Sequence, residues 1–133
     1  MFLLLAMLAS SQVTPDTVTG RWQTQTRHGI VEIAHCGQTI CATLLSSDGI
    51  TANPQLRDEK NKDPQLRGRT LKGLQILKGF TWNANGWVGG TIYNAEDGGT
   101  YDATIVQTDS DHLKLRGCII WPLCKTQTWV RLP

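Results

Sequence analysis

Beyond residues 2–9 the sequence has no long apolar run, no strong excess of either charge, no repeat and no low-complexity tract. Each absence excludes a class of protein. A bilayer-spanning helix needs about 20 consecutive apolar residues, so the chain after its first few residues carries no integral membrane segment. The formal charge is only +2 and the pI is near 8.4, short of the basic face and domain pI above about 9 expected of a nucleic-acid binder. No Ser or free Cys stands beside an identifiable base, and no carboxylate pair can be placed at a glycosidase-like separation, so nothing argues for an enzyme. His28, His35 and His112 fall at strand ends or turns, none with a second ligand at metal spacing, so no cofactor is expected. No linker divides the 133 residues, which support one domain burying roughly two-thirds of its unfolded surface.

Residues 2–9, Phe-Leu-Leu-Leu-Ala-Met-Leu-Ala, followed by Ser10 and Ser11, read as the hydrophobic part of a signal peptide, although the charged region that normally precedes one is missing. A buried first strand or helix is the competing reading. The four cysteines favour export. An even count in a small exported domain reads as disulfides, and Cys36/Cys41 and Cys118/Cys124 fall in two local pairs, the first around a four-residue hairpin loop. Zinc held by four thiolates, and crossed pairing between the hairpins, stay open as alternatives. Residues 1–15 are therefore expected to be a signal peptide and leader, and residues 18–133 one periplasmic or secreted domain.

The rest of the chain alternates in short segments broken by Gly, Asn and Asp. Strands are expected at residues 20–26, 30–35, 40–46, 71–77, 80–84, 87–93, 100–107, 112–118 and 124–132, with Asn85-Gly86 the strongest hairpin signal and Gly89-Gly90 marking a bulge, corner or close approach. Residues 47–69 lack alternation and carry turn signals and dense charge. Seven of the thirteen cations lie between positions 57 and 78 against three acids, net +4. A loop this long in a compact domain is usually functional or disordered. The pattern predicts an all-β fold, a single antiparallel barrel of eight or nine strands. Eight strands enclose an interior just wide enough to be filled by side chains or to hold one small ligand.

Gly20-x-Trp22 near the start and Arg131 on the final strand resemble the signature of lipocalin-like (calycin) barrels, in which an Arg from the last strand lies across the Trp that plugs the closed end. Trp129, two residues before Arg131, belongs to the same closing strand. Cys36-Gly37-x-x-x-Cys41, Asn61-x-x-Pro64-x-Leu66-Arg67-x-Arg69, Gly90-x-Ile92-Tyr93, Gly98 to Tyr101, Leu115-Arg116-Gly117 and Thr128-Trp129-x-Arg131 together resemble, over about residues 18–132, an exported bacterial family known only as a domain of unknown function. The resemblance implies a lipocalin-like barrel, periplasmic or secreted, with no established activity. Asn94 and Ala95 follow Tyr93 where the family usually has Asp and Pro.

Two candidate sites follow from the residues. Asp58, Asn61, Arg67 and Arg69, with Tyr93 and Arg116, form a polar set in which Arg67 and Arg69, two apart on extended chain, could grip a carboxylate or phosphate head group. The structural alternative is that Asp58 and Asn61 tie down the loop and the arginines pair with them. Trp82, Trp87, Tyr93 and Tyr101 could line an apolar cavity, or be core. The expected function is binding of a small apolar or amphipathic molecule such as a lipid. The rival is a protein-interaction or inhibitor module with a solid barrel, using the basic loop and Trp121. The sequence leaves the oligomeric state open.

Overall fold

The computed structural model describes residues 13–120 and 123–133. The expected leader falls mostly within residues 1–12, which with Trp121 and Pro122 lie outside the described residues. Among the described residues nine strands form one antiparallel sheet: β1 (Gly20–Gln23), β2 (Ile30–Cys36), β3 (Thr39–Ser46), β4 (Gln75–Lys78), β5 (Thr81–Asn83), β6 (Gly86–Asn94), β7 (Gly99–Asp109), β8 (His112–Ile120) and β9 (Leu123–Arg131). Their order is β4-β3-β2-β1-β9-β8-β7-β6-β5, and a further β4–β6 pairing closes the first eight into a barrel that leaves β5 outside the ring. The first and last strands do pair, with Trp22 opposite Arg131 and Gln23 opposite Val130. Among the described residues no helix is long and apolar enough to cross a membrane.

Local chemistry shifts several boundaries from the expected ones. The first strand stops at Gln23 because Thr24 to Gly29 closes a turn, the Thr24 amide donating to the Gly29 carbonyl, with Arg27 and His28 in the left-handed region. The hairpin after Cys36 uses two turn residues rather than four, since Cys36 pairs with Thr39. Leu71 lies before β4, in a turn at the positive-φ Gly73. At Asn85-Gly86 the turn falls one residue early, on Ala84 and Asn85. Gly86 is already in the ladder, where an added Cβ would sit 2.7 Å from the Ile105 carbonyl oxygen. Gly89 and Gly90 make both a bulge and a close approach: the register slips between Trp87 and Gly90, and a Cβ on Gly90 would strike the Phe80 ring at 2.4 Å.

Antiparallel order puts the start of β1, the β2–β3, β5–β6 and β7–β8 turns and the chain end at one end of the barrel. There a turn over Thr14–Thr19 buries Val18, whose carbonyl accepts from Trp22 Nε1 at 2.9 Å. The other end carries residues 47–74, the Asn94–Gly99 turn and the β8–β9 tip. Inside, Trp22, Trp129, Phe80, Ile33, Ile40, Leu77, Ile105 and Leu113 are all less than 2 % exposed. Ile50 of the short helix α1 (Asp48–Ala52), capped by Ser47, joins the same core with Leu71 and Leu74. Side chains therefore fill the interior, from the capping turn to the segment across the mouth.

Candidate functional site

Asp58 is the centre of a buried polar cluster. Its side chain is fully shielded from water. Oδ2 accepts from Asn61 Nδ2 at 2.9 Å and from Arg69 Nε at 3.0 Å, while Oδ1 accepts from the Tyr93 hydroxyl. A buried carboxylate costs free energy unless charge and donors meet it; here one guanidinium, one amide and one phenol do. Asn61 Oδ1 then accepts from the Asp63 amide at 2.8 Å, and its carbonyl from Arg67 Nε at 2.8 Å. The Arg69 guanidinium also lies 5.4 Å from the centre of the Tyr93 ring. Burial, and then the bond to Asp58, push the Tyr93 phenol up to about 12.

Arg67 and Arg69 do not share a strand face as their spacing suggests. Pro64–Leu66 is a 3-10 turn with Arg67 still in right-handed conformation at its end, and the two take different acceptors, Arg67 the Asn61 carbonyl and Arg69 the Asp58 carboxylate. Arg116 is not part of it: Leu113 and Leu115 point inward, and Arg116 stands exposed on the outer face of β8, opposite Thr104. The four aromatics do not line one cavity either. Trp87 is buried near the closed end, edge-on to the half-buried Trp82 at 5.3 Å, and its indole N–H lacks a partner. Tyr93 lies six positions along β6 and on the outer wall, whereas Ile92 and the opposing Tyr101 face inward at the rim. Tyr101 donates to Asp97 Oδ2 at 2.5 Å, which raises its pKa.

The loop is locked onto the wall by a residue whose role spacing did not reveal. Gly98, at φ +74°, leaves room for the Lys60 carbonyl oxygen, which would lie 1.7 Å from any added Cβ. Between the docked loop and the outer faces of β4 and β6 runs a groove of about 410 Å³. Leu66 and Ile76 supply its apolar surface, and Lys62, Arg69 and Lys78 its positive charge, against the single carboxylate of Asp63. A second hollow, of about 500 Å³, lies outside the closed end between Val13, Gln107, Ser110 and Arg131. Lys62 and Lys78 were visible only as part of the basic run, because nothing in the sequence pairs β4 with β6.

At the closed end the Arg131 guanidinium lies 4.4 Å from the centre of the Trp22 ring and donates to the carbonyls of Thr19, Thr17 and Ser110. Gly20 is required beside it, since a Cβ there would meet Arg131 at 2.8 Å. Cys36 is bonded to Cys41, and Cys118 to Cys124, with Cα separations of 5.8 and 4.0 Å. That overturns both crossed pairing and a four-thiolate zinc site, since no thiolate remains. Among the described residues no cluster of His, Cys, Asp or Glu could hold a metal ion.

The family model described as "Uncharacterized protein conserved in bacteria (DUF2147)" matches residues 20–131. Among solved structures, a protein from the human pathogen Helicobacter pylori, described as belonging to the lipocalin family, superposes with a TM-score of 0.78 at 26 % identity, over 93 % of this chain and 85 % of that one. No curated protein matches the chain. The lipocalin-like fold is in general a small-ligand-binding fold rather than an enzyme fold. With its family match running from the Gly20-x-Trp22 strand to Arg131, the chain belongs to the uncharacterized bacterial family DUF2147, on a lipocalin-like barrel.

Proposed function

We propose that the protein is an exported binder of a small anionic amphipathic molecule, of the fatty-acid or lipid class. The ligand is held in the outer groove between the docked loop and the β4–β6 wall rather than along the barrel axis. The observation that carries this reading is the chemistry of that groove. Lys62, Arg69 and Lys78 stand around an apolar floor of Leu66 and Ile76, in about 410 Å³, within the range of small-molecule sites. Arg69 spends Nε on Asp58 but keeps its side chain about one-third exposed, so its outer donors can turn to a carboxylate or phosphate. The filled interior argues against an axial ligand. Export is supported by the apolar run at residues 2–9 and by the two disulfides.

Native mass spectrometry of protein purified from its own host tests the proposal. A retained mass of lipid size is the expected result, and uniformly ligand-free protein would overturn it. The filled interior also favours a second reading, a protein-interaction or inhibitor module. Ligand-free protein that co-purifies with a stoichiometric protein partner through the 57–69 loop is the outcome that would select it.

A further inference from the structure

The β8–β9 hairpin ends in the most exposed large aliphatic side chains among the described residues: Ile119 at 74 %, Ile120 at 67 % and Leu123 at 65 %. Such side chains clustered at one tip mark a docking site rather than scattered surface apolarity. The register slips between Cys118 and Ile120, which stands opposite Leu123. All three aliphatic side chains are in water, so this end of the ribbon stands clear of the barrel. The Cys118–Cys124 disulfide joins directly opposed residues just behind it and holds the ribbon closed.

From this geometry we propose that Ile119, Ile120 and Leu123, at the end of the stapled ribbon, insert into the surface of an anionic lipid bilayer. Behind the apolar residues lie three exposed cations, Lys114 and Arg116 on β8 and Lys125 on β9. Arg116 is three positions from Ile119 and Lys125 two from Leu123, distances of about 10 and 7 Å along a strand. Both lie within a Debye length of lipid head groups that close around the tip. The acid nearest on the sheet is Asp102, opposite Cys118. Glu96 and Asp97 of the neighbouring turn are engaged by Arg27 and Tyr101. A bilayer encloses a protruding ribbon from both faces and needs no matching contour. A stable protein interface needs about 800 Å² on each side, more than three side chains at one tip supply, and the strands behind present Thr126, Thr128 and cations rather than an apolar face.

The test is binding of the full chain to vesicles of phosphatidylglycerol and phosphatidylcholine in equal parts, against phosphatidylcholine alone, with hydrogen exchange read at residues 118–124. The N-terminal apolar run is common to all variants, so differences between them report the tip. The expected result is at least tenfold tighter binding to the anionic vesicles and slowed exchange at the tip. Ile119→Ser with Ile120→Ser and Leu123→Ser loses at least tenfold. Arg116→Gln with Lys125→Gln loses about fivefold per cation. All variants keep the disulfide and the wild-type melting temperature. Equal binding by wild type and the triple serine variant, or unchanged exchange at the tip, would overturn the proposal. So would a dimer in sedimentation equilibrium that the triple serine variant dissolves, since the tip would then be a self-association surface.

Discussion

Arg131 lies over the Trp22 ring while donating to three carbonyls, which joins the last strand to the first and to the turn that seals the barrel. The indole contributes more than a filling volume: its N–H is used on Val18 and its face on a cation. Replacing Arg131 by Met removes the cation–π contact and takes this donor from the Thr19 and Ser110 carbonyls, while Thr17 keeps the Gln107 amide, at a cost of about 2–4 kcal/mol. Arg131→Lys recovers less than half, because an ammonium has no planar fork to serve three acceptors while stacking. Urea unfolding of the two variants checks both statements.

Tyr93 gives the fold an alkaline dependence. Its phenol holds its proton up to about 12 in the folded chain, against 10.0 ordinarily, through burial and then the bond to Asp58. A group whose pKa is raised by folding stabilises fully below its unfolded value, and that contribution is lost as pH rises through the folded value. Stability should therefore fall between about pH 10 and 12. Tyr93→Phe removes that component of the fall and costs about 1–3 kcal/mol at neutral pH, because Asp58 loses a donor. Tyr93→Phe leaves Tyr101 as the one remaining tyrosine, so its tyrosinate absorbance subtracted from that of wild type isolates the Tyr93 titration.

Gly98→Ala should undock the loop. The new Cβ would overlap the Lys60 carbonyl in a backbone already at φ +74°, so the cost is at least about 2 kcal/mol. Gly73→Ala is the control. Its φ is +87° but nothing lies near the Cβ, so only the left-handed penalty of about 1 kcal/mol applies. In Gly98→Ala alone, the Lys62 amide, which donates to the Gly98 carbonyl, loses its protection from hydrogen exchange.

Lys62→Glu with Lys78→Glu reverses the charge beside the outer groove without touching the Asp58 cluster. Palmitate binding, followed by calorimetry, should weaken at least tenfold while the melting temperature stays within about 2 °C of wild type, since surface substitutions of this kind shift stability by about 0.5 kcal/mol or less. Added salt should weaken wild-type binding in the same direction.

Much of the barrel could be read from the chain because its signals are local. Period-two alternation, turn residues and the Trp22 and Arg131 signature each depend on a few neighbouring positions, and the terminal pairing follows once the sheet must close. The site was less legible. Asp58, Asn61 and Arg69 stood out by type, but whether Tyr93 faced them depended on which side of β6 it occupied, and the bulge at Gly89-Gly90 sets that register. Arg116 faces outward as Tyr93 does, but β7 stands between its strand and β6, so it lies away from the cluster. The groove needed the β4–β6 contact, which skips a hairpin and leaves no mark in sequence.

The closed sheet consists of two broad panels, β1 to β3 and β6 to β9, with β4 as a narrow slat between them on one side. The panels meet along thin seams: Trp22 and Gln23 against β9, Ala42 and Thr43 against β4, and Leu77 and Lys78 against β6. Where strand pairing is shortest, an arginine lies against an aromatic ring as a rivet, Arg131 on Trp22 at one joint and Arg69 on Tyr93 beside the other. The cylinder should therefore open lengthwise along these joints first, beside β9 when Arg131 lets go and beside β4 when Arg69 does.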